Sequence, residues 1–174
     1  MFQAGDLVVY GSTGVCRVEE VTTPNLSGEE KGKLYYRLTP LQQSGVIYTP
    51  VENRGKIPIR AVLSRAEVNA LIDEIPNLPE EVFRAPTLQA ASQHYQEAMR
   101  THDCRRLMEL LHSVHMKERE AEAQKRHLGM VDERFLKQAQ RLLYGEFAVV
   151  LEIEEENVER YILDRLGLCG ESAE

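Results

Sequence analysis

The chain has 174 residues, a length that accommodates one compact domain or two small ones. Hydrophobic residues make up 43% of it, which is enough for packed cores and excludes a wholly disordered protein. The net charge of −7 argues against a generally nucleic-acid-binding chain, but the charge is unevenly distributed. Residues 84–145 hold eleven Lys/Arg and eight Asp/Glu, whereas residues 146–174 hold two Lys/Arg and nine Asp/Glu.

The first sixty residues predict a small antiparallel sheet. An apolar run between two glycine-containing turns is typical of a buried strand, and it is followed by further short β-rich runs. In the second run, period two places Val21 on the same face as Arg17 and Glu19. Turns every eight to twelve residues predict a strongly bent sheet or barrel. The predicted strands cover residues 7–10, 15–21, 33–39, 45–51 and 57–60.

From Ser64 onward the periodicity is helical. Ser64 and Glu67 match a capping box, which predicts a short helix that ends before Pro76. The next stretch, residues 75–86, holds three prolines and is predicted to be a hinge. Later helices are predicted at residues 87–99, at residues 104–115 with a charged extension to 126, from a cap at Asp132 to an interruption at Gly145, and at residues 147–166.

These elements predict an α+β protein, with a small, strongly bent antiparallel sheet or barrel followed by an all-α helical domain. The expected organisation is a barrel over residues 1–64, a short helix and Pro-rich linker over residues 65–86, and a helical domain over residues 87–170. No apolar run approaches the roughly 20 residues that a membrane helix needs, so no membrane association is expected. The three cysteines lack disulfide or metal spacing, which predicts a reduced, cytoplasmic protein.

Enzyme chemistry is not expected, because no nucleotide-binding, serine-hydrolase or metalloprotease motif is present in the sequence. His112 and His115 lie three residues apart on one helix face, but no further ligands follow at zinc spacing. The glutamates of residues 152–156 favour a solvated helix face over paired catalytic carboxylates. We therefore predict no catalytic residue, metal or cofactor.

Two features suggest binding surfaces, and each has an ordinary alternative. The basic residues of the helical half either form surface ion pairs with neighbouring acids or converge on one side to contact phosphates. The uncharged β-rich run at residues 46–49, followed at once by Pro50, is either an ordinary paired strand or an edge that accepts a partner strand.

Several motifs resemble the CarD/CdnL family of bacterial transcription regulators. The likeness runs in order from residue 2 to about residue 166, and the opening motif is also similar to the RNA-polymerase-interacting domain of transcription-repair coupling factors. The matching motifs are Phe2-x-x-Gly5-Asp6-x-Val8-Val9-Tyr10, Gly14-Val15, Val18-Glu19, Pro50-x-Glu52-Asn53 and Leu142-Leu143-Tyr144-Gly145-Glu146.

The resemblance implies that the N-terminal part is a Tudor-like antiparallel β-barrel, which docks on the β-subunit lobe of bacterial RNA polymerase by strand pairing. A polymerase-facing arginine of the family corresponds to Tyr48 in this chain. By matched position, the residues implied to face polymerase are Pro24, Asn25, Leu26, Ser27, Val46, Ile47, Tyr48, Thr49 and Pro50.

The resemblance also implies that the helical domain touches promoter DNA at the upstream edge of the melted bubble and stabilises the open complex. The family's wedging tryptophan corresponds to Ala91, and the chain has no tryptophan. Glutamine or histidine stands where neighbouring family positions are commonly Arg or Lys, so the expected contact is weak, atypical and not sequence-specific. The residues implied to face DNA, or able to replace those contacts, are Ala91, Gln93, His94, Gln96, Arg100, Arg105, Arg134 and Lys137.

The sequence thus predicts a non-enzymatic transcription regulator that acts with RNA polymerase in the bacterial cytoplasm. The alternative is a polymerase-binding adaptor whose helical domain binds another protein, which the acidic C-terminal region and the missing tryptophan favour. The sequence leaves the oligomeric state and the direction of regulation open.

Overall fold

The computed structural model describes residues 1–24, 32–52 and 56–168. It confirms the predicted α+β class: a five-stranded antiparallel sheet is followed by a region whose regular structure is helical. The chain divides into two compact units, Met1–Val62 and Leu63–Glu174.

The first unit is an antiparallel sheet with the strand order β4-β3-β2-β1-β5. Alternate residues of the central strands form its core, in which Val8, Cys16, Val18 and Leu38 are fully buried. Burial raises the pKa of the Cys16 thiol to about 11. The strands are β1 (Leu7–Tyr10), β2 (Gly14–Thr22), β3 (Tyr35–Pro40), β4 (Ile47–Pro50) and β5 (Ile59–Ala61).

A β-bulge in β2 changes which residues face this core. The register between β2 and β3 shifts between Val18 and Glu20, so that Glu20 lies opposite Arg37 and Val21 lies opposite Tyr36. Val21 therefore packs against the core, and its predicted position on the face of Arg17 is wrong. The extra residue of a bulge reverses the inward and outward alternation beyond it.

The second unit packs its helices around one hydrophobic core, which includes Tyr95, Leu111, Leu143 and Phe147. The segment expected to hold a short helix and a linker, residues 65–86, belongs to this unit, and the helix in it buries apolar residues in the same core. The helices are α1 (Arg65–Glu74), α2 (Leu88–Arg100), α3 (Cys104–Ala123), α4 (Met130–Leu151) and α5 (Val158–Arg165).

Local capping fixes where the first two helices begin. The Glu67 N–H donates to Ser64 Oγ at 3.2 Å and the Ser64 N–H donates to Glu67 Oε2 at 2.7 Å, which confirms the predicted capping box. Thr87 Oγ1 accepts the Ala90 N–H at 3.1 Å at the start of α2. The capping box acts within four residues of the chain, which is why the sequence reveals it.

The predicted start and end of the helix after α3 are wrong, and so is the predicted start of the final helix at residue 147. The residue before α4 is Gly129, and Asp132 lies inside the first turn as a buried side chain rather than as the cap. Gly145 does not interrupt α4, which continues to Leu151. A mid-helix glycine costs about 1 kcal/mol relative to alanine, and the burial of apolar neighbours such as Phe147 offsets that cost.

Candidate partner-binding surfaces

The strand β4 lies at one end of the sheet order, so one of its two edges has no strand partner among the described residues. The Val51 N–H donates to the Leu34 carbonyl at 2.9 Å, just beyond the β4–β3 ladder. Hydrogen-bonded pairs alternate along an antiparallel ladder, so Thr49 also turns its peptide group toward β3. The peptide groups of Tyr48 and Pro50 therefore turn toward the unpaired edge.

The side chains of β4 alternate across the sheet. Thr49 is buried and Ile47 packs against the core of the first unit. Tyr48 points the other way and is 39% exposed. Its cross-strand neighbour is Arg37, which pairs with Glu20 at 3.3 Å. A strand added at this edge would thus meet the Tyr48 side chain on one face and the Tyr48 peptide group along the edge.

Residues 24–27 were also predicted to face polymerase, and only Pro24 among them lies in the described part of the chain. Pro24 is half-buried just after the end of β2. Asn25, Leu26 and Ser27 lie outside the described residues, so their role stays a prediction. Val46, directly before β4, is 49% exposed.

The predicted DNA-facing residues of α2 differ in accessibility. Ala91 is buried in the helical core, so its side chain does not lie on the surface where a wedging residue would be. Gln93 and Gln96 are exposed. His94 stacks on Phe83, with ring centroids 3.6 Å apart, and burial lowers the pKa of His94 although the nearby Glu97 carboxylate opposes this.

The predicted arginines near the α2–α3 junction also differ. Arg105 binds two carboxylates, Glu74 at 2.7 Å and Glu109 at 3.4 Å, and this favours the surface ion-pair explanation of the basic residues for Arg105. Arg100 is exposed at the end of α2. A cation already held by two acids must give up those contacts before it can bind a phosphate, so Arg100 is the better candidate.

Four exposed residues form a single stripe along α4. Their spacings of three and four residues place them on one helix face, with an apolar side chain at the N-terminal end and three cations behind it. The guanidinium of Arg134 lies over the Phe135 ring at 4.9 Å. Lys137 pairs with Glu133 at 2.9 Å. We call this set the α4 stripe; it consists of Met130, Arg134, Lys137 and Arg141.

Sequence reasoning did not select the turn between α3 and α4 as a site. Lys125 and Arg126 are exposed in this turn, and Lys125 has a left-handed backbone with φ of 55°. The backbone N–H of Arg126 donates to the Ala121 carbonyl at 2.7 Å, and this bond fixes the backbone of the turn. Met130, 87% exposed, follows the turn. The signal was visible in the sequence as consecutive basic residues before a glycine, but their position beside the α4 stripe depends on the helix boundary.

A buried polar cluster holds the start of α4 in place. Tyr95 Oη donates to Asp132 Oδ1 at 2.5 Å, and Lys117 Nζ lies 2.8 Å from Asp132 Oδ2. The pKa of Tyr95 is raised by burial and by its hydrogen bond to Asp132. The cluster links α2, α3 and α4 and so fixes the position of the basic turn and of the stripe.

The first unit carries a known domain. Residues 2–63 match the family model described as CarD-like/TRCF RID domain. The N-terminal unit is a CarD-like/TRCF RID domain. This match confirms the resemblance for the first unit, and the matched residues end within one position of the structural boundary of that unit.

The RID domain belongs to a family of protein-interaction domains, and it points to RNA polymerase as a partner. In the RID domain of this chain, the candidate contact is the β4 edge. Among the described residues, no group of three or more His, Cys, Asp or Glu side chains is arranged to hold a metal ion. In the same part of the chain, no helix is long and apolar enough to cross a membrane.

Proposed function

We propose that this protein is a transcription regulator that binds the β-subunit lobe of bacterial RNA polymerase and modulates the stability of the open promoter complex. The observation that carries the proposal is that one edge of β4, in a RID domain, has no strand partner among the residues that the structure describes. A polymerase strand added beside β4 could use the Tyr48 N–H, the Tyr48 carbonyl and the Pro50 carbonyl. Each such hydrogen bond contributes about 0.5–1.5 kcal/mol net.

The backbone nature of this contact is tested by comparing two substitutions at one position. Tyr48→Ala removes the side chain but keeps the N–H, whereas Tyr48→Pro also removes the N–H that turns toward the unpaired edge. We expect Tyr48→Pro to bind purified RNA polymerase at least about tenfold more weakly than Tyr48→Ala, because it loses a donor and places a ring at the edge.

The opposite edge of the sheet provides a matched control. The Gly11 N–H donates to the Pro58 carbonyl at 2.9 Å and the Val62 N–H donates to the Leu7 carbonyl at 3.3 Å. By the same alternation, the peptide group of Ala61 turns away from β1. Ala61→Pro should therefore leave polymerase affinity unchanged. Equal losses in Ala61→Pro and Tyr48→Pro, with both variants folded by circular dichroism, would refute pairing at β4.

For the helical unit we propose a weak, sequence-independent contact with promoter DNA. The exposed cations that support it are Arg100, Lys125, Arg126 and Arg134. The acids beside Lys137 and Arg105 explain why the contact is weak. Open-complex lifetime should be measured with the full chain and with Lys125→Gln/Arg126→Gln/Arg134→Gln. We expect the open complex to live longer with the wild-type chain than without it. The increase in lifetime should be smaller with the variant and should decrease as salt is added.

A polymerase-binding adaptor whose helical unit binds protein is the second candidate. It is favoured by the exposure of Leu88, 73%, and of Met130, 87%, because exposed apolar side chains of this size suit a protein contact. An open-complex lifetime that neither the wild-type chain nor salt alters, combined with intact polymerase binding, would select this candidate.

A further inference from the structure

The C-terminal half of the α4 stripe, Lys137 and Arg141, lies in a groove with four glutamates, which we call the acidic wall. Lys137 and Arg141 line one side of a groove of about 620 Å³, together with Gln140 and Tyr144. The other side comes from the turn between α4 and α5 and from the first residues of α5. Its charged side chains are all glutamates: Glu154, Glu155, Glu156 and Glu159.

The acids outnumber the cations in this groove. Two cations face four carboxylates, and Glu133 adds a fifth carboxylate through its 2.9 Å pair with Lys137. The charge of the wall also affects a side chain of α4. Burial raises the pKa of Tyr144, and the negative charge of Glu159 raises this pKa further. The groove thus carries more negative than positive side chains, although the α4 stripe itself is basic.

Apolar packing and polar contacts with α1 fix the position of α5. Val158 is fully buried and Ile162 nearly so, both in the core of the second unit. Arg165 binds both oxygens of Asp73 at 2.7 and 2.8 Å, and Tyr161 Oη donates to Asn69 Oδ1 at 2.7 Å. Apolar packing and contacts to α1 therefore hold α5 in place, and the glutamates that line the groove lie in the first turn of this helix and in the turn before it.

We propose that the acidic wall is an intramolecular competitor for polyanions: Glu154, Glu155 and Glu156 occupy the electrostatic position of phosphates over Lys137 and Arg141. This inference rests on the proposed function of the helical unit and defines how it is regulated. A polyanion contacts the N-terminal half of the α4 stripe and the α3–α4 turn first. It reaches the C-terminal half only where it displaces the glutamate side chains of the wall, while α5 stays in place. The wall therefore keeps the affinity for free DNA low, and the full contact forms with DNA that polymerase holds close by.

The test removes three charges from the wall without touching the cations. The variant Glu154→Gln/Glu155→Gln/Glu156→Gln is compared with Glu19→Gln/Glu52→Gln/Glu80→Gln, which removes the same charge at exposed residues outside the groove. Binding of each full-length protein to a fluorescent duplex with a central unpaired bubble, and to heparin, is followed by anisotropy or competition across a salt series. Circular dichroism verifies that both variants are folded.

We expect the wall variant to bind the duplex about tenfold more tightly than the control at about 50 mM salt. The slope of log affinity against log salt concentration should be steeper for the wall variant than for the control, by up to about 1.8. The reason is that two more cations contact phosphates, and each contact adds about 0.9 to the slope. Adding Arg141→Gln to the wall variant should remove roughly half of the steeper slope.

Equal affinities and slopes for the wall and control variants, on both duplex and heparin, would overturn the competition. A gain on heparin and duplex without any change in open-complex lifetime would support the competition and refute the proposed role in initiation. A longer lifetime with wild-type protein, but no gain in the wall variant, would support the proposed function and refute the inference.

Discussion

Replacing Asp132 by alanine tests the polar cluster that fixes the start of α4. The change leaves the Tyr95 hydroxyl, in a side chain that is 2% exposed, without its acceptor. An unpaired buried hydroxyl costs about 1–3 kcal/mol. The Asp132→Ala substitution also removes the carboxylate that pairs with Lys117, and breaking a buried ion pair costs about 3–5 kcal/mol.

The two costs do not add in full. The Lys117 side chain is 27% exposed, so its ammonium group can regain water when the carboxylate is removed. We therefore expect Asp132→Ala to lower the free energy of unfolding of the helical unit by about 3 kcal/mol. In a chain of this size that corresponds to a fall in Tm of about 6–12 °C. Asp132→Asn keeps an acceptor for Tyr95 and should cost about 1–2 kcal/mol.

Urea unfolding followed by far-UV circular dichroism measures these changes, because helices dominate that signal. A double-mutant cycle with Tyr95→Phe isolates the hydroxyl. In the Tyr95→Phe background, Asp132→Ala should cost about 1 kcal/mol less than in the wild-type chain. An Asp132→Ala chain within about 0.5 kcal/mol of wild type, with unchanged m-value, would show that the cluster does not stabilise the fold as argued.

Two further predictions concern titration and reactivity. The folded-state pKa of Tyr95 is raised above its ordinary value of 10.0 by burial and by Asp132, so unfolding releases a proton at high pH. Stability should therefore be fully present below about pH 10 and should decline above it, and Tyr95→Phe should reduce the decline in urea titrations at increasing pH. Cys16 is fully buried, and burial raises the pKa of its thiol to about 11. Iodoacetamide at about pH 8 should modify Cys16 only after unfolding, as measured by peptide mass spectrometry; rapid modification of the folded chain would contradict its burial.

Much of the fold was predictable because its signals are local. The alternation of apolar residues marks the strands, and the capping residues Ser64 and Thr87 fix two helix starts through bonds to residues three positions away. Ser64 and Glu67 need no distant contact to act, so the sequence reveals them. The change from β-type to helical periodicity near residue 64 likewise lies close to the structural boundary between the two units.

Errors arose where distant residues compete for the same side chain. Asp132 has the chemistry of a helix cap, but Tyr95 and Lys117, far away in the sequence, bind its carboxylate inside the first turn. Gly145 is a poor helix former, yet packing around it carries α4 onward. Local propensities differ by about 1 kcal/mol, so a few buried contacts are enough to reverse them.

The binding surfaces depended even more on tertiary structure. The composition of residues 46–50 is compatible with either a central strand or an edge. Only the strand order shows that one side of β4 has no strand partner within the described part of the chain. Ala91 matches a surface position by family resemblance but is buried, while the cations of α4 gain or lose their availability through the acids that face them. The sequence by itself determined the two kinds of unit and the family of the first, because periodicity and motifs are properties of neighbouring residues. Which peptide groups and charges stay available for partners was decided only by long-range packing, because availability depends on what every other part of the unit has already covered.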